Sequence, residues 1–281
     1  MELKVTTSAV DGDGVATICL HRPGRGNSWT ARMNAEYRWV MAQMDADPAV
    51  RVIVVRGTGK QFCVGADFKA LDFYGAEERD YLDTVRSEGL ARPGHGVRPE
   101  YEHDLVWHWG LSKPVIAAIN GACAGIAVAI AGFCDLRYAV AGAKITTVAS
   151  RLGLPAEYGL AWLLPRLVGM THAADILLSG RVFLAEEARD MGFLNGVFPE
   201  AEFGVRIAEI ARTMAVTVSP AAATVTKRQL YAELMSADVG RAVEDSKRLI
   251  GELMRGADFK ESIAAMRDKR QPKFAPPGES K

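Results

Sequence analysis

The chain of 281 residues reads as an α/β protein with a helical C-terminal part. Three observations carry that reading. Val50–Arg56 is almost continuous Val and Ile, as in a strand buried on both faces of a sheet. Lys113–Asp135 divides into a short β-branched segment, an Asn-Gly turn and a helix of small residues. From about residue 201 onward the apolar spacing is helical throughout. Strand–helix alternation followed by helices alone gives an α/β core with helices appended to it.

Composition narrows the function classes. Lys plus Arg and Asp plus Glu stand at 34 each, so the net charge is zero and nothing points to nucleic acid or an anionic membrane surface. Val115–Cys134 is long enough to cross a bilayer, but it is rich in Ala and Gly, holds Asn120 and has no second such run beside it. Cys19, Cys63, Cys123 and Cys134 form no CxxC pair and read as buried free thiols of a cytoplasmic protein. The five histidines show no metal spacing, so no metal is expected. GxGxxG, GxSxG and Walker patterns are absent, and Gly57-Thr58-Gly59-Lys60 lacks phosphate-loop spacing.

The elements follow in order. Leu3–Val5 and Val15–Leu20 flank Asp11-Gly12-Asp13-Gly14, a hairpin signal. His21–Gly26 is a basic, Gly-rich loop. Thr30 is placed to cap a helix running to about Asp45. Val50–Arg56 is the next strand, and Gly65 then makes a tight turn with a helix starting at Ala66. Residues 76–109 are polar, broken at Arg92–Gly96, and predict a helix around Glu102–Trp109. Val115–Ile119 is a strand and Ile126–Phe133 a helix. Leu136–Ala139 and Lys144–Thr147 are further strands. Helices are expected over Leu160–Val168, Ala173–Leu178, Ala185–Met191, Ala201–Thr213, Pro220–Met235, Val239–Met254 and Phe259–Arg267. The Pro-rich tail 271–281 is expected to fray.

Two of these junctions suggest chemistry. Gly125 opens a helix, where backbone N–H groups lack partners and favour negative charge. Ala66 offers a second such amide after Gly65. Together they could hold an oxygen that becomes anionic during a reaction. The bland alternative is a core helix with close-packed glycines. Glu157, in LGLPAEYG, is either a base or a loop carboxylate that caps the next helix or pairs with Arg166.

VRVIVVRG…FCVGAD and KPVIAAINGACAG…CDLR, with LHRPGRGNSW and LLPRLVG…ADILLSGRVFLAEEARDMGFLN, resemble the crotonase superfamily, the enoyl-CoA hydratase/isomerase family. The resemblance runs from about Leu3 to Arg270. It implies a crotonase-like spiral of ββα repeats over residues 1–200 and a helical trimerisation segment over 201–270. It implies an acyl-CoA substrate, no cofactor beyond the CoA that the substrate carries, and a homo-trimer or hexamer. Ala66 and Ile126 would donate the two amides to the thioester oxygen, and Gly65 and Gly125 would shape those turns. Ser28, Cys63, Asp67, Phe68, Leu71, Leu152 and Trp162 would line the substrate or CoA site. Arg25, Lys69 and Lys269 would meet the CoA phosphates and adenine.

The departures from the pattern are informative. Enoyl-CoA hydratases of this family carry two glutamates, which fall here on Ala129 and Ala149. Hydration needs one group to activate water and one to protonate carbon. Glu157 matches the single catalytic glutamate of one branch of Δ3,Δ2-enoyl-CoA isomerases, where one base shuttles a proton from C2 to C4. The expectation is therefore isomerisation. The alternatives are hydration or other enolate chemistry with His103, Asp104 or His108 recruited, and a non-catalytic acyl-CoA binder.

Overall fold

A computed structural model describes residues 1–67 and 89–275. Ala66 does not open a helix as expected but is extended and bridged to Trp29, while Phe68, Lys69, Leu71, the rest of that expected helix and the end of the tail lie outside the described residues.

The main sheet has six strands in the order β1-β2-β3-β4-β6-β9. These are β1 (Thr6–Val10), β2 (Val15–Leu20), β3 (Val52–Gly57), β4 (Val115–Ile119), β6 (Leu136–Val140) and β9 (Gly196–Phe198). β1 pairs antiparallel with β2, and all the others are parallel. A small second sheet joins β5 (Cys123–Ala124), β7 (Lys144–Thr146) and β8 (Phe183–Leu184).

The apolar runs of β3 and β4 are explained by burial on both faces. Ile53, Val55, Val115, Ala117 and Ile119 face the larger core. Their alternates Val52, Val54, Ile116 and Ala118 face a second core closed by Phe203, Ile207, Ala211 and Ala215. Those four side chains come from one helix, Glu200–Thr217, at the helical spacing of i, i+4, i+8 and i+12.

Counted among the described residues, the helices are α1 (Ala31–Ala46), α2 (Ile126–Phe133), α3 (Leu160–Ser179), α4 (Ala185–Asp190), α5 (Glu200–Thr217), α6 (Pro220–Glu233), α7 (Val239–Leu253) and α8 (Ala257–Arg267). Thr30 caps α1 as expected, its Oγ1 accepting the Met33 N–H at 3.1 Å. Thr30→Ala is expected to lower stability by about 1 kcal/mol, read as a shift in the denaturant midpoint at constant slope. An unshifted midpoint would show that the cap contributes nothing.

α3 joins the two helices expected over Leu160–Leu178, with the break surviving as a kink at Gly169 (φ 77°, ψ 159°). The helix expected around Glu102–Trp109 is instead two short 3-10 turns, Pro99–Tyr101 and Val106–Gly110. Leu105 between them has φ 63°, which breaks an α-helix. The backbones of Gly94 and Gly110 also pack too closely for any side chain, since a Cβ on Gly94 would meet the Trp107 carbonyl oxygen at 2.0 Å. The first strand begins at Thr6 rather than Leu3, because the Glu36 carboxylate accepts the Lys4 and Val5 N–H groups before the ladder starts.

α6 is tied to the core by a buried polar latch. Lys227 Nζ donates to Asp135 Oδ2 at 2.8 Å and to the Lys113 carbonyl at 3.0 Å. Tyr231 donates to Asp135 Oδ1 at 2.7 Å, and the Val115 N–H to Oδ2 at 2.6 Å. The start of β4 and the end of α2 are thereby held together.

Candidate active site

Two tight loops meet at the open end of the parallel strands. The first runs Cys63–Asp67. It is held on one side by Trp29, whose N–H donates to the Gly65 carbonyl at 2.7 Å and whose own carbonyl accepts the Asp67 N–H at 3.0 Å. A parallel bridge of that form uses both backbone groups of Trp29 and turns those of Ala66 to the opposite side. On that opposite side lies the second loop, Gly121–Ile126. The Cys63 N–H donates to the Ala122 carbonyl at 3.1 Å, and the Ala124 N–H to the Cys63 carbonyl at 3.0 Å.

Gly125 ends the second loop at φ 54°, ψ −124°, a conformation that requires glycine. Its N–H donates to the Thr146 carbonyl at 3.0 Å. Ile126 follows as the first residue of α2, so its amide has no partner inside the helix. Neither the Ala66 nor the Ile126 N–H has a hydrogen-bond acceptor among the described residues. The loops touch: a Cβ on Gly125 would sit 3.8 Å from Gly65 Cα.

The same point lies 3.7 Å from Glu157 Oε2 and 4.0 Å from Val148 Cγ1. Glu157 precedes α3, and its backbone carbonyl accepts the Leu160 N–H at 2.9 Å. Its carboxylate neither caps that helix nor pairs with Arg166, whose guanidinium stacks on Trp162 at 3.8 Å and donates to the Trp162 carbonyl. Burial raises the Glu157 pKa above its ordinary value of 4.5. A half-buried carboxylate thus lies beside the Gly125 turn, where the two loops touch. Such a site can hold an oxygen as it gains charge and move a proton beside it.

Ala129 is fully buried on α2, one turn after Ile126. Ala149 is buried at the start of a 3-10 turn, directly after Val148. Neither carries a functional group. Trp162 stands one turn into α3 at 36% exposure, 5.8 Å from Trp109 ring to ring. Leu152 is exposed on the turn after Ala149. Arg25 is exposed on the short turn Pro23–Arg25. Lys269 is exposed just past α8, and no described contact brings it to the two loops. No group of three His, Cys, Asp or Glu side chains among the described residues could hold a metal ion.

Ser28 and Asp67 are present but already engaged. Ser28 Oγ donates to Asp67 Oδ2 at 3.0 Å, and Arg22 Nη1 donates to Ser28 Oγ, to the Ser28 carbonyl and to Asp67 Oδ2 at 2.7–2.9 Å. Asn27 is fully buried, its Nδ2 donating to the Thr58 and Gln61 carbonyls. Arg22 and Asn27 did not emerge from spacing, since Arg22 meets Asp67 45 positions away and Asn27 meets Thr58 31 positions away. Cys63 is buried with its thiol pushed up to about 11, which keeps it protonated and unreactive.

The imidazole of His108 is committed elsewhere. It is fully buried and stacked on Trp107, with Tyr37 Oη at 2.8 Å from Nε2 and the Leu105 carbonyl at 2.6 Å from Nδ1. Burial pushes its pKa down to about 3. Asp104 pairs with Arg38 at 2.7 Å, and His103 is exposed.

Fold and site define an α/β chain that brings two glycine-turned loops and one carboxylate to a single point. Residues 11–277 match the family model described as enoyl-CoA hydratase/isomerase. The chain is 31% identical to 1,2-epoxyphenylacetyl-CoA isomerase of Escherichia coli K12, over 93% of this chain and 95% of the relative. It is 33% identical to a probable enoyl-CoA hydratase of Mycobacterium tuberculosis, over 92% and 89% respectively. A crystal structure of a probable enoyl-CoA hydratase/isomerase from Mycobacterium abscessus superimposes with a TM-score of 0.82 at 30% identity, covering 96% of this chain and 98% of that one. The chain belongs to the enoyl-CoA hydratase/isomerase family of the crotonase superfamily and has its fold.

Proposed function

We propose that this enzyme shifts a double bond in an enoyl-CoA thioester, with Glu157 as its single acid and base. The observation that carries the proposal is the Glu157 carboxylate at the meeting point of the Gly65 and Gly125 loops, while alanine stands at positions 129 and 149, where hydratases of the family carry their glutamates. Ala66 and Ile126 donate to the thioester oxygen. Glu157 removes the proton from C2, the dienolate is held on the two amides, and the conjugate acid of Glu157 delivers the proton to C4. Bonds and charge balance without water or cofactor, CoA being part of the substrate. A relative named 1,2-epoxyphenylacetyl-CoA isomerase supports isomerase chemistry, and relatives named hydratase mark the competing reaction. Conversion of a 3-enoyl-CoA to its 2-enoyl isomer, followed for the natural enzyme and Glu157→Gln, tests it. Equal rates would sink the assignment, and hydration of a 2-enoyl-CoA at a higher rate than isomerisation would favour a rearranged hydratase.

Residues 201–270 are proposed to carry assembly into a homo-trimer or a dimer of trimers. Val239, Val243 and Ile250 share one exposed side of α7, and Ile263 is exposed on α8. A cytoplasmic setting fits the free thiols at Cys19, Cys63, Cys123 and Cys134. Among the described residues no helix is long and apolar enough to cross a membrane.

A further inference from the structure

We infer that Arg22, Ser28 and Asp67 form a positioning clamp for the first oxyanion amide and do not bind CoA. The inference rests on Ala66 being one of the two donors. The Cys63–Asp67 loop is secured from two sides. Toward the second loop it is fixed by the Cys63–Cys123 bridge, which sits three residues before each donor. Beyond Ala66 the Asp67 N–H donates to the Trp29 carbonyl, and the Asp67 side chain adds bonds of its own.

That side chain closes a triangle. Asp67 Oδ2 accepts from Arg22 Nη1 at 2.9 Å and from Ser28 Oγ at 3.0 Å, and the same Nη1 donates to Ser28 Oγ at 2.9 Å. The Ser28 hydroxyl is thus both donor and acceptor within the triangle, and it is buried. Nη1 reaches the Ser28 carbonyl as well, at 2.7 Å, so the guanidinium spans side chain and backbone of one strand and the carboxylate of the other. Arg22 is itself held, because its N–H donates to Asn27 Oδ1 at 2.8 Å and its carbonyl accepts the Asn27 N–H at 3.0 Å. Asn27 adopts φ 56° to make those bonds and anchors to Thr58 and Gln61.

The consequence is mechanical and electrostatic. Ala66 lies between Gly65, at φ 97°, and Asp67. The peptide carrying the Ala66 N–H is held at its Gly65 carbonyl by the Trp29 N–H, and the grip on Asp67 fixes the residue on its other side. An amide that stabilises an enolate must already point at the oxygen when charge develops. A charged, interlocked triangle is suited to that, because each of its hydrogen bonds involves an ionised partner.

The test separates positioning from binding. Hexanoyl-CoA labelled with carbon-13 at the thioester carbonyl is bound to the natural enzyme, to Ser28→Ala and to Asp67→Asn, and the carbonyl stretch is read by infrared difference spectroscopy. The bound carbonyl of the natural enzyme is expected at lower frequency than in water. Both variants should lose at least half of that shift while Kd for hexanoyl-CoA and for CoA alone stays within about threefold, and kcat should fall by about 10²-fold with KM little changed. Circular dichroism confirms that each variant is folded, and Ser28→Thr, which keeps the hydroxyl, should restore the shift. An unchanged carbonyl frequency in both variants, or a parallel loss of affinity for CoA itself, overturns the clamp. The spectroscopic readout needs no turnover, so it stands or falls separately from the isomerase assignment.

Discussion

Glu157→Gln is expected to lower the rate of 3-enoyl-CoA isomerisation by about 10²–10⁴-fold with little change in KM. The amide has the shape of the carboxylate and fills the same place beside Gly125, so substrate binding is preserved. What it loses is the ability to take a proton from C2. The natural enzyme should also show kcat/KM rising with pH through a value above 4.5, because burial raises the Glu157 pKa and only the ionised form is a base. The variant's residual rate should lack that rise. Steady-state kinetics over a pH series checks both points, and a Glu157→Gln profile parallel to the natural one would remove Glu157 from the mechanism.

The same group has a signature in stability. A carboxyl whose pKa is raised by folding binds more protons in the folded than in the unfolded state between the two pKa values, so stability falls as pH rises through that window. Glu157→Gln should therefore melt higher than the natural enzyme at neutral pH, and the difference should vanish at pH well below 4.5. A carboxylate that lowers stability, and that nothing in the described structure neutralises, is what a base kept for catalysis looks like.

The amino-acid sequence made the scaffold legible where apolar patterns were long. Val115–Ile119 and Ile126–Phe133 were readable residue for residue, because one is buried on both sheet faces and the other on all sides of a helix. β5, β8 and β9 are two or three residues long, too short to show a period, and they form only because neighbouring segments present an edge. The aromatic segment around Trp107 misled for a different reason: burial on every side looks the same in a helix and in a 3-10 turn. Of the candidate site, Gly65, Gly125 and Glu157 were marked by turn chemistry and by a lone carboxylate, and the structure brings them together. The Arg22–Ser28–Asp67 triangle was invisible, since 39 and 45 positions separate its loops and no local spacing encodes it.

Gly125→Ala is expected to reduce kcat/KM by about 10²–10³-fold, comparable to removal of one oxyanion-hole donor. Two effects act together. At φ 54° and ψ −124° an alanine is strained by about 1–3 kcal/mol, so the loop relaxes and the Ile126 amide turns with it. The added methyl would also stand 3.7 Å from Glu157 Oε2 and 3.8 Å from Gly65 Cα, in the space proposed for the thioester. These are ordinary contacts, so the empty protein tolerates the methyl while a substrate does not. Gly142→Ala is the control: it shares a positive φ of 72° but has nothing within 4 Å of its Cβ position. It should lose stability without losing activity. If Gly142→Ala and Gly125→Ala reduce kcat/KM alike, backbone strain alone explains the loss, and the Gly125 loop is not where the thioester oxygen binds.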